Sequence, residues 1–199
     1  MPLSAGRSAA LLLLPLLWVS ACTTPPPGSS ATPPSSPDRP AWVSVTEQAE
    51  TVRPDELATD RPKRIAADAD LCALLTAQEV TAATGAPSAK TGRPLPGTLC
   101  LWQLGDAVDD RGTPTETLVL TSALSGVWLG DEQGLVGGYP TRRLVGDGSC
   151  TLKVGIRRPD APTDTVVLKV MLHVTDPTTD PCAAARPLAE TALSRIPSA

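Results

Sequence analysis

Few residues in this sequence have side chains suited to catalysis. The chain of 199 residues contains one histidine, His173, and no Gly-x-Ser-x-Gly nucleophile motif accompanies it. His173 lies in an alternating apolar and polar segment, which is typical of a half-buried strand, so we interpret it as a surface residue and not as a general base. The acidic pairs Asp109-Asp110 and Asp131-Glu132 lack the alternate ligand spacing of a calcium loop. The sequence therefore predicts no enzyme, no metal site and no cofactor.

Cysteine is the residue type with the clearest chemistry here. Apart from Cys22, the chain contains Cys72, Cys100, Cys150 and Cys182, with no CxxC motif and no zinc-ligand spacing. An even number of cysteines in an exported domain predicts two disulfides. Three pairings are compatible with the sequence. We favour Cys72–Cys100 and Cys150–Cys182, because each would tie a predicted helix to a predicted strand.

The first residues have the organisation of an export signal. Arg7 precedes an apolar run at 9–19, which is shorter than the roughly 20 residues a membrane-spanning helix needs. The segment Val19-Ser20-Ala21-Cys22 resembles the lipobox of bacterial lipoproteins. This resemblance implies removal of residues 1–21, acylation of Cys22 and attachment to the cell membrane on its extracytoplasmic side. The alternative is ordinary secretory cleavage, which would leave Cys22 as a free thiol.

Residues 22–65 read as a stalk between this anchor and a folded domain. Proline, serine and threonine dominate its first half, and such a composition cannot bury enough apolar surface to fold. We expect a semi-extended, disordered spacer. Trp42, Val43 and Val45 form a small apolar island within it. We expect this island to be disordered or to pack loosely on the domain, the alternatives being a membrane-interface anchor or a partner-docking strand.

From residue 66 to residue 199 the pattern is that of a folded domain. Thr76 and Glu79 have the spacing of a helix capping box, and Gly85 closes the same helix. Strand patterns follow at 98–104, 117–122, 141–145, 150–157 and 165–175, and a helix is predicted over 180–195, with a kink or restart at Pro187. The pattern of residues 123–137 is ambiguous, and Gly126, Gly130 and Gly134 argue against a long helix. We predict an α+β fold, with a mainly antiparallel sheet that has a short N-terminal and a longer C-terminal helix packed on it.

Charge and aromatic content restrict the binding partners. The formal net charge is −4 and aromatic residues are 3% of the chain, which argues against nucleic acid. Trp102, Trp128 and Tyr139 are candidate interaction residues. Trp102 and Trp128 are alternatively the lining of a small-ligand cleft, although core packing is the simpler role for Trp102.

Basic residues on two predicted neighbouring strands are a further candidate surface. Arg142-Arg143, Lys153 and Arg157-Arg158 lie on these strands or directly after them. Such charges are usually the solvated face of a sheet. The alternative is that some of them share a face and bind an anionic polymer or an acidic partner.

Four motifs resemble those of a known family. They are Asp70-Leu71-Cys72 with Leu74-Leu75-Thr76, Cys100-Leu101-Trp102, Gly138-Tyr139-Pro140 and Asp180-Pro181-Cys182-Ala183. They are similar to motifs of actinobacterial lipoproteins that carry the domain of unknown function 3558, and the resemblance covers residues 62–199 together with the order of leader and stalk. Leu71 departs from the family pattern, in which proline is usual. The family has no settled activity, so the resemblance implies no catalytic residues.

The sequence therefore predicts a membrane-anchored lipoprotein of the cell envelope with a non-catalytic extracytoplasmic interaction domain. Its expected partners are the membrane, through a lipid on Cys22, and a protein of the envelope. The alternative is a binding protein for a small envelope ligand, either a lipid or a cell-wall fragment.

Overall fold

Antiparallel strands form the centre of the domain in the computed structural model, which describes residues 42–44, 59–92, 99–124, 132–158 and 165–199. The strands are β1 (Val43–Ser44), β2 (Ala89–Thr91), β3 (Leu99–Leu104), β4 (Thr117–Leu124), β5 (Glu132–Val136), β6 (Tyr139–Gly146), β7 (Ser149–Gly155) and β8 (Thr165–His173). They make one sheet in the order β1-β5-β6-β7-β8-β4-β3-β2. Every pairing is antiparallel.

Two helices pack on this sheet, as the sequence predicts. Helix α1 (Ala77–Thr84) begins with the expected capping box, in which Thr76 Oγ1 accepts a hydrogen bond from the Glu79 N–H and Glu79 accepts one from the Thr76 N–H. Gly85 ends the helix at φ +72°, a conformation that favours glycine. Helix α2 (Pro181–Arg195) runs through Pro187 without a restart. The predicted α+β fold class is therefore confirmed.

Both disulfides are present and connect the helical side of the domain to the sheet. Cys72, in the 3-10 turn Leu71–Leu74, is bonded to Cys100 in β3. Cys182, in the first turn of α2, is bonded to Cys150 in β7. This is the pairing favoured from the sequence.

The core lies between the helices and one face of the sheet. Alternate residues of the central strands are buried there, and residues of α2 meet them. The group includes Leu118, Leu120, Leu152, Val154, Leu168, Val170, Leu172, Leu188, Ala189 and Leu193. The alternation predicted for β7 and β8 is therefore present, because every second side chain of a strand points to the same side.

The packed part of the chain begins before residue 66, where the sequence pattern placed the domain boundary. Ile65 is buried in the core, the Lys63 N–H donates to Ile156 O at 2.8 Å, and Trp42 is partly buried. The boundary was placed too late because these isolated apolar residues lie in an otherwise polar stretch. Residues 1–41 and 45–58, which include most of the predicted stalk, lie outside the described residues.

Strand β5 lies within residues 123–137, whose sequence pattern is ambiguous. Its short sequence Glu-Gln-Gly-Leu-Val has a central glycine, which weakens a strand pattern. It forms nevertheless because it pairs along its whole length with β6. Strand β2 was also not anticipated from the sequence.

Candidate functional site

The two faces of the sheet differ in what covers them. Both disulfides begin on one face. Cys100 pairs with Leu120 and Leu120 with Val170, while Cys150 pairs with Leu172. Val170 and Leu172 are two residues apart in β8 and therefore point to the same side of the sheet. Helix α2 and the 3-10 turn therefore lie on that side. The intervening strand residues form the opposite side, on which no helix of the described residues packs, and we call it the helix-free face.

A row of basic residues crosses the helix-free face. Arg142 in β6 is the register partner of Lys153 in β7, and Lys153 is the register partner of Lys169 in β8. We call these three residues the cationic row. Directly opposed side chains in an antiparallel pair have Cβ atoms about 4.5–5.5 Å apart, so the three cations are immediate neighbours.

No acidic residue shares this face within the described strands. Its polar residues are Lys90, Gln103, Thr117, Thr121, Gln133, Arg142, Ser149, Thr151, Lys153, Lys169 and His173. The charged residues of this face are thus all basic, although the whole chain has a formal net charge of −4. A surface of this kind attracts anionic ligands or partners.

Lys153 is the most unusual member of the cationic row. Its side chain is only 5% exposed. In the part of the chain that the structure describes, no group accepts a hydrogen bond or forms an ion pair with its ammonium. Burial, and secondly the neighbouring charge of Lys169, lower the pKa of Lys153 below its usual value. Arg142 is 4% exposed and has an interaction of its own.

An apolar row lies beside the cationic row on the same face. Met171 in β8 pairs with Val119 in β4, which pairs with Leu101 in β3. On the other side Met171 pairs with Thr151, and Thr151 pairs with Leu144 in β6, which is 41% exposed. The face thus offers a line of charge next to a line of apolar side chains.

Trp42 holds the N-terminal segment against the edge of the sheet. Strand β1 adds two residues to β5, and the indole of Trp42 covers Gly134. The Arg143 guanidinium lies 4.4 Å from the centre of the Trp42 ring and is paired with the Glu132 carboxylate. Of the predicted alternatives for this apolar island, packing on the domain is the one observed for Trp42.

The candidate aromatic residues that the structure describes are core residues. Trp102 is 4% exposed, and its Nε1 is buried without a hydrogen-bond acceptor in the described structure. Tyr139 is also 4% exposed, and its hydroxyl donates to the Arg61 carbonyl oxygen at 2.8 Å. These are the positions of packing side chains, so neither ring is offered to a partner. Trp128 and Cys22 lie outside the described residues.

The residues considered for catalysis or metal binding are dispersed. His173 is exposed at the end of β8, and in the described structure its ring has no hydrogen bond to a carboxylate or hydroxyl. Asp109 organises its own loop by accepting hydrogen bonds from the N–H of Thr113 and, secondly, from that of Arg111, and these bonds lower the pKa of its carboxyl. Within the described ranges no cluster of three His, Cys, Asp or Glu side chains is placed to hold a metal ion.

Several depressions lie on the surface of the described residues, and three of them are near these elements. A cleft of about 460 Å³ lies between Arg61, Tyr139 and Glu190, and another of about 470 Å³ lies beside His173 and Asp147. An apolar pocket of about 120 Å³ lies at Ile65, Leu71 and Ile196, distant in sequence from Trp102, and is smaller than usual ligand pockets. The predicted ligand cleft lined by Trp102 and Trp128 therefore has no counterpart at Trp102 in the described core.

The sequence predicts only part of the arrangement of the basic residues on the sheet. Arg142 and Lys153 do share a face, but Arg143 lies on the other face with Glu132, and Arg157 and Arg158 follow β7. Lys169 completes the row and was not grouped with the others. The strand alternation of β8 indicated its side of the sheet, but the register between β7 and β8 was needed to place it opposite Lys153.

Fold and surface together define a disulfide-bonded α+β domain with one helix-covered sheet face and a second face that carries the cationic row. The family described as "Protein of unknown function (DUF3558)" matches residues 17–195, and the chain belongs to this family. No curated protein and no solved structure matches the chain significantly. In the described residues, no helix is long and apolar enough to cross a bilayer.

Proposed function

We propose that this protein is a lipid-anchored lipoprotein of the cell envelope, with a non-catalytic domain that binds an envelope component through the helix-free face. Support for the anchor comes from the sequence Val19-Ser20-Ala21-Cys22 and from the short apolar run before it. Support for a non-catalytic role comes from the isolated position of His173. The partner is most simply a protein of the envelope, and a small anionic ligand is the second candidate.

The proposed binding role is supported by one observation, which is that the two faces of the sheet carry different kinds of side chains. The helix-covered face is filled by apolar side chains and secured by both disulfides, which accounts for the stability of the fold. The helix-free face instead collects Arg142, Lys153 and Lys169. Like charges placed directly opposite each other oppose strand pairing, so folding alone does not favour this arrangement.

The position of Trp42 sets the length of chain between the proposed anchor and the domain. If Cys22 is acylated, residues 23–41 separate the membrane from the first contact with the domain. A flexible chain of that length spans roughly 25 Å, and a polyproline helix of the same length spans about 60 Å. The domain would therefore lie about 25–60 Å from the membrane surface.

Photo-crosslinking in intact cells tests the binding surface. A photoreactive amino acid at Leu144, which is exposed on the helix-free face, is compared with one at Ser194, which is exposed on α2. We expect a reproducible crosslinked species from position 144 and none from position 194. Equal crosslinking from both positions, or crosslinking only from position 194, would show that the binding surface is elsewhere.

Mass measurement of the protein extracted from its own membrane tests the anchor. We expect a mass that begins at Cys22 and includes acyl chains, and we expect Cys22→Ser to abolish both the acyl mass and membrane retention. Retention of Cys22→Ser on the membrane, or an unmodified mature cysteine, would contradict lipid anchoring.

A further inference from the structure

We propose that Lys153 and Lys169 bind a phosphoryl group carrying two negative charges, such as that of a phosphate monoester, on the helix-free face. The inference names the chemistry that the proposed binding surface recognises and so rests on the proposed function. The phosphoryl group can belong to a soluble phosphate ester or to a lipid headgroup. The experiment below distinguishes these two sources.

Geometry is the first argument. Lys153 and Lys169 are direct register partners in the central pair β7 and β8, so their ammonium groups start from adjacent positions on one face. The central strands hold these positions firmly, since β8 pairs with β7 on one side and with β4 on the other. Two cations presented side by side on a rigid sheet form a preorganised receptor for an anion.

Burial without a partner is the second argument. Lys153 is 5% exposed, yet no group in the described structure accepts a hydrogen bond from its ammonium. A lysine whose side chain is largely buried and whose ammonium has no protein acceptor is only partly solvated, and this desolvation opposes folding. Departures from good packing of this kind are expected at functional sites. A bound anion would supply the missing acceptor.

Charge matching decides the class of anion. Lys153 and Lys169 contribute two positive charges, while Arg142 is already engaged and Lys90 is paired with Asp106 at 2.6 Å. A phosphoryl dianion balances two ammonium groups, whereas one carboxylate balances half of that charge. Lysine is a well-established phosphate ligand that acts as a point charge.

The neighbouring side chains indicate what is attached to the phosphoryl group. Met171 follows Lys169 on the same face of β8, and Val119 and Leu101 continue this apolar row across the sheet. Lys169 is only partly buried, so an anion can reach the pair from that side. An ester with an apolar substituent would contact both the charges and the apolar row.

Ligand-dependent thermal unfolding of the full chain tests the proposal. Sodium phosphate is added to the wild type, Lys153→Met, Lys169→Met and Lys90→Met, and sodium chloride at equal ionic strength is the reference. Lys90→Met is the matched control, because Lys90 is on the same face but at the far edge of the sheet. We expect phosphate to raise the unfolding temperature of the wild type and of Lys90→Met. For Lys153→Met and Lys169→Met we expect at least a tenfold rise in apparent Kd.

A folding defect in Lys153→Met would lower its unfolding temperature without phosphate, and this distinguishes it from loss of phosphate binding. Without phosphate, Lys153→Met should unfold at a higher temperature than the wild type, because methionine fills similar space without a buried charge. Equal effects of phosphate and chloride on the wild type, or unchanged phosphate affinity in both lysine variants, would overturn the proposal. If crosslinking from position 144 persists under either of those results, the binding surface stands and only its anion chemistry is wrong.

Two lipids identify the source of the phosphoryl group. Dihexanoyl phosphatidic acid has a phosphate monoester, and dihexanoyl phosphatidylglycerol has a diester with a single charge. Tighter binding of phosphatidic acid than of inorganic phosphate, with the same dependence on Lys153 and Lys169, assigns the site to a lipid headgroup. Equal affinities assign it to a soluble phosphate. Binding of the diester as tight as that of the monoester would contradict recognition of a dianion.

Discussion

Replacing Gly134 with alanine should release Trp42 from the edge of the sheet. A Cβ atom at position 134 would lie 2.6 Å from Cε3 and 2.9 Å from Cζ3 of Trp42, closer than real Cβ contacts come. The three nearest atoms to that Cβ all belong to the indole ring. The strain therefore falls on one side chain, which can move away only by giving up its contact with Arg143.

The size of the effect follows from what Trp42 contributes. A partly buried tryptophan removes about 100 Å² of apolar surface from water, worth about 2.5 kcal/mol, and its cation–π contact with Arg143 adds about 0.5–1 kcal/mol. Ordering residues 42–44 costs about 1 kcal/mol each. The net stabilisation by the docked segment is thus at most about 0.5 kcal/mol, small enough for a single Cβ to reverse.

A double-mutant cycle isolates this contact. In the Trp42→Ala background, Gly134→Ala should stabilise the domain by about 0.5–1 kcal/mol, because alanine restricts the unfolded chain more than glycine does. In the wild type the same substitution should stabilise the domain less, since loss of the Trp42 contact offsets part of the gain. We therefore expect a coupling free energy of about 0.5 kcal/mol.

Urea unfolding followed by far-ultraviolet circular dichroism measures all four variants, since fluorescence would change with removal of Trp42. Gly92→Ala is the control, because the nearest atoms to a Cβ there are 3.5 Å away and belong to Leu101. It should show no coupling to Trp42→Ala. A coupling free energy for Gly134 below about 0.3 kcal/mol would refute the docking of Trp42 on β5 and, with it, the tether length derived above.

Three further predictions concern stability. Replacing Cys150 and Cys182 together by alanine removes a cross-link with a sequence separation of 32 and should lower the free energy of unfolding by about 3–4 kcal/mol in urea titrations; a loss under 1 kcal/mol would contradict its structural role. Hydrogen bonds from Arg195, and secondly from the Thr76 N–H, lower the pKa of Glu79 to about 2, so its stabilising effect is complete above pH 4.5 and is lost as the pH falls towards 2. Glu79→Gln should flatten the unfolding temperature between pH 2 and 5, and an unchanged profile would exclude this linkage. Because the unfolded chain binds the proton of Lys153 more tightly than the folded chain, the stability advantage of Lys153→Met should shrink as the pH rises towards 10.5; an advantage that is constant over this range would contradict the lowered pKa.

Local pattern was sufficient to predict the elements that are built from neighbouring residues. The capping box of Thr76 and Glu79 involves residues three apart, and the side of each residue in β7 and β8 follows from strict alternation. Four cysteines in a domain that is predicted to be exported likewise predict two disulfides. Such features depend on geometry within one element or on residue chemistry, both of which are visible in the sequence.

Contacts between distant segments required the tertiary structure. Strand β5 has a weak local pattern and exists because β6 and β1 pair with it, while Trp42 gains its place only because Gly134 leaves room for the indole. The three residues of the cationic row are separated along the chain, and only the sheet register makes them neighbours on one face. A shift of one residue in that register would have sent Lys169 to the core side, as the period of a strand is two. The sequence by itself thus determined the fold class and the cysteine chemistry, and it predicts an export signal. Strand register is a long-range property, and it decided which charged side chains lie next to each other.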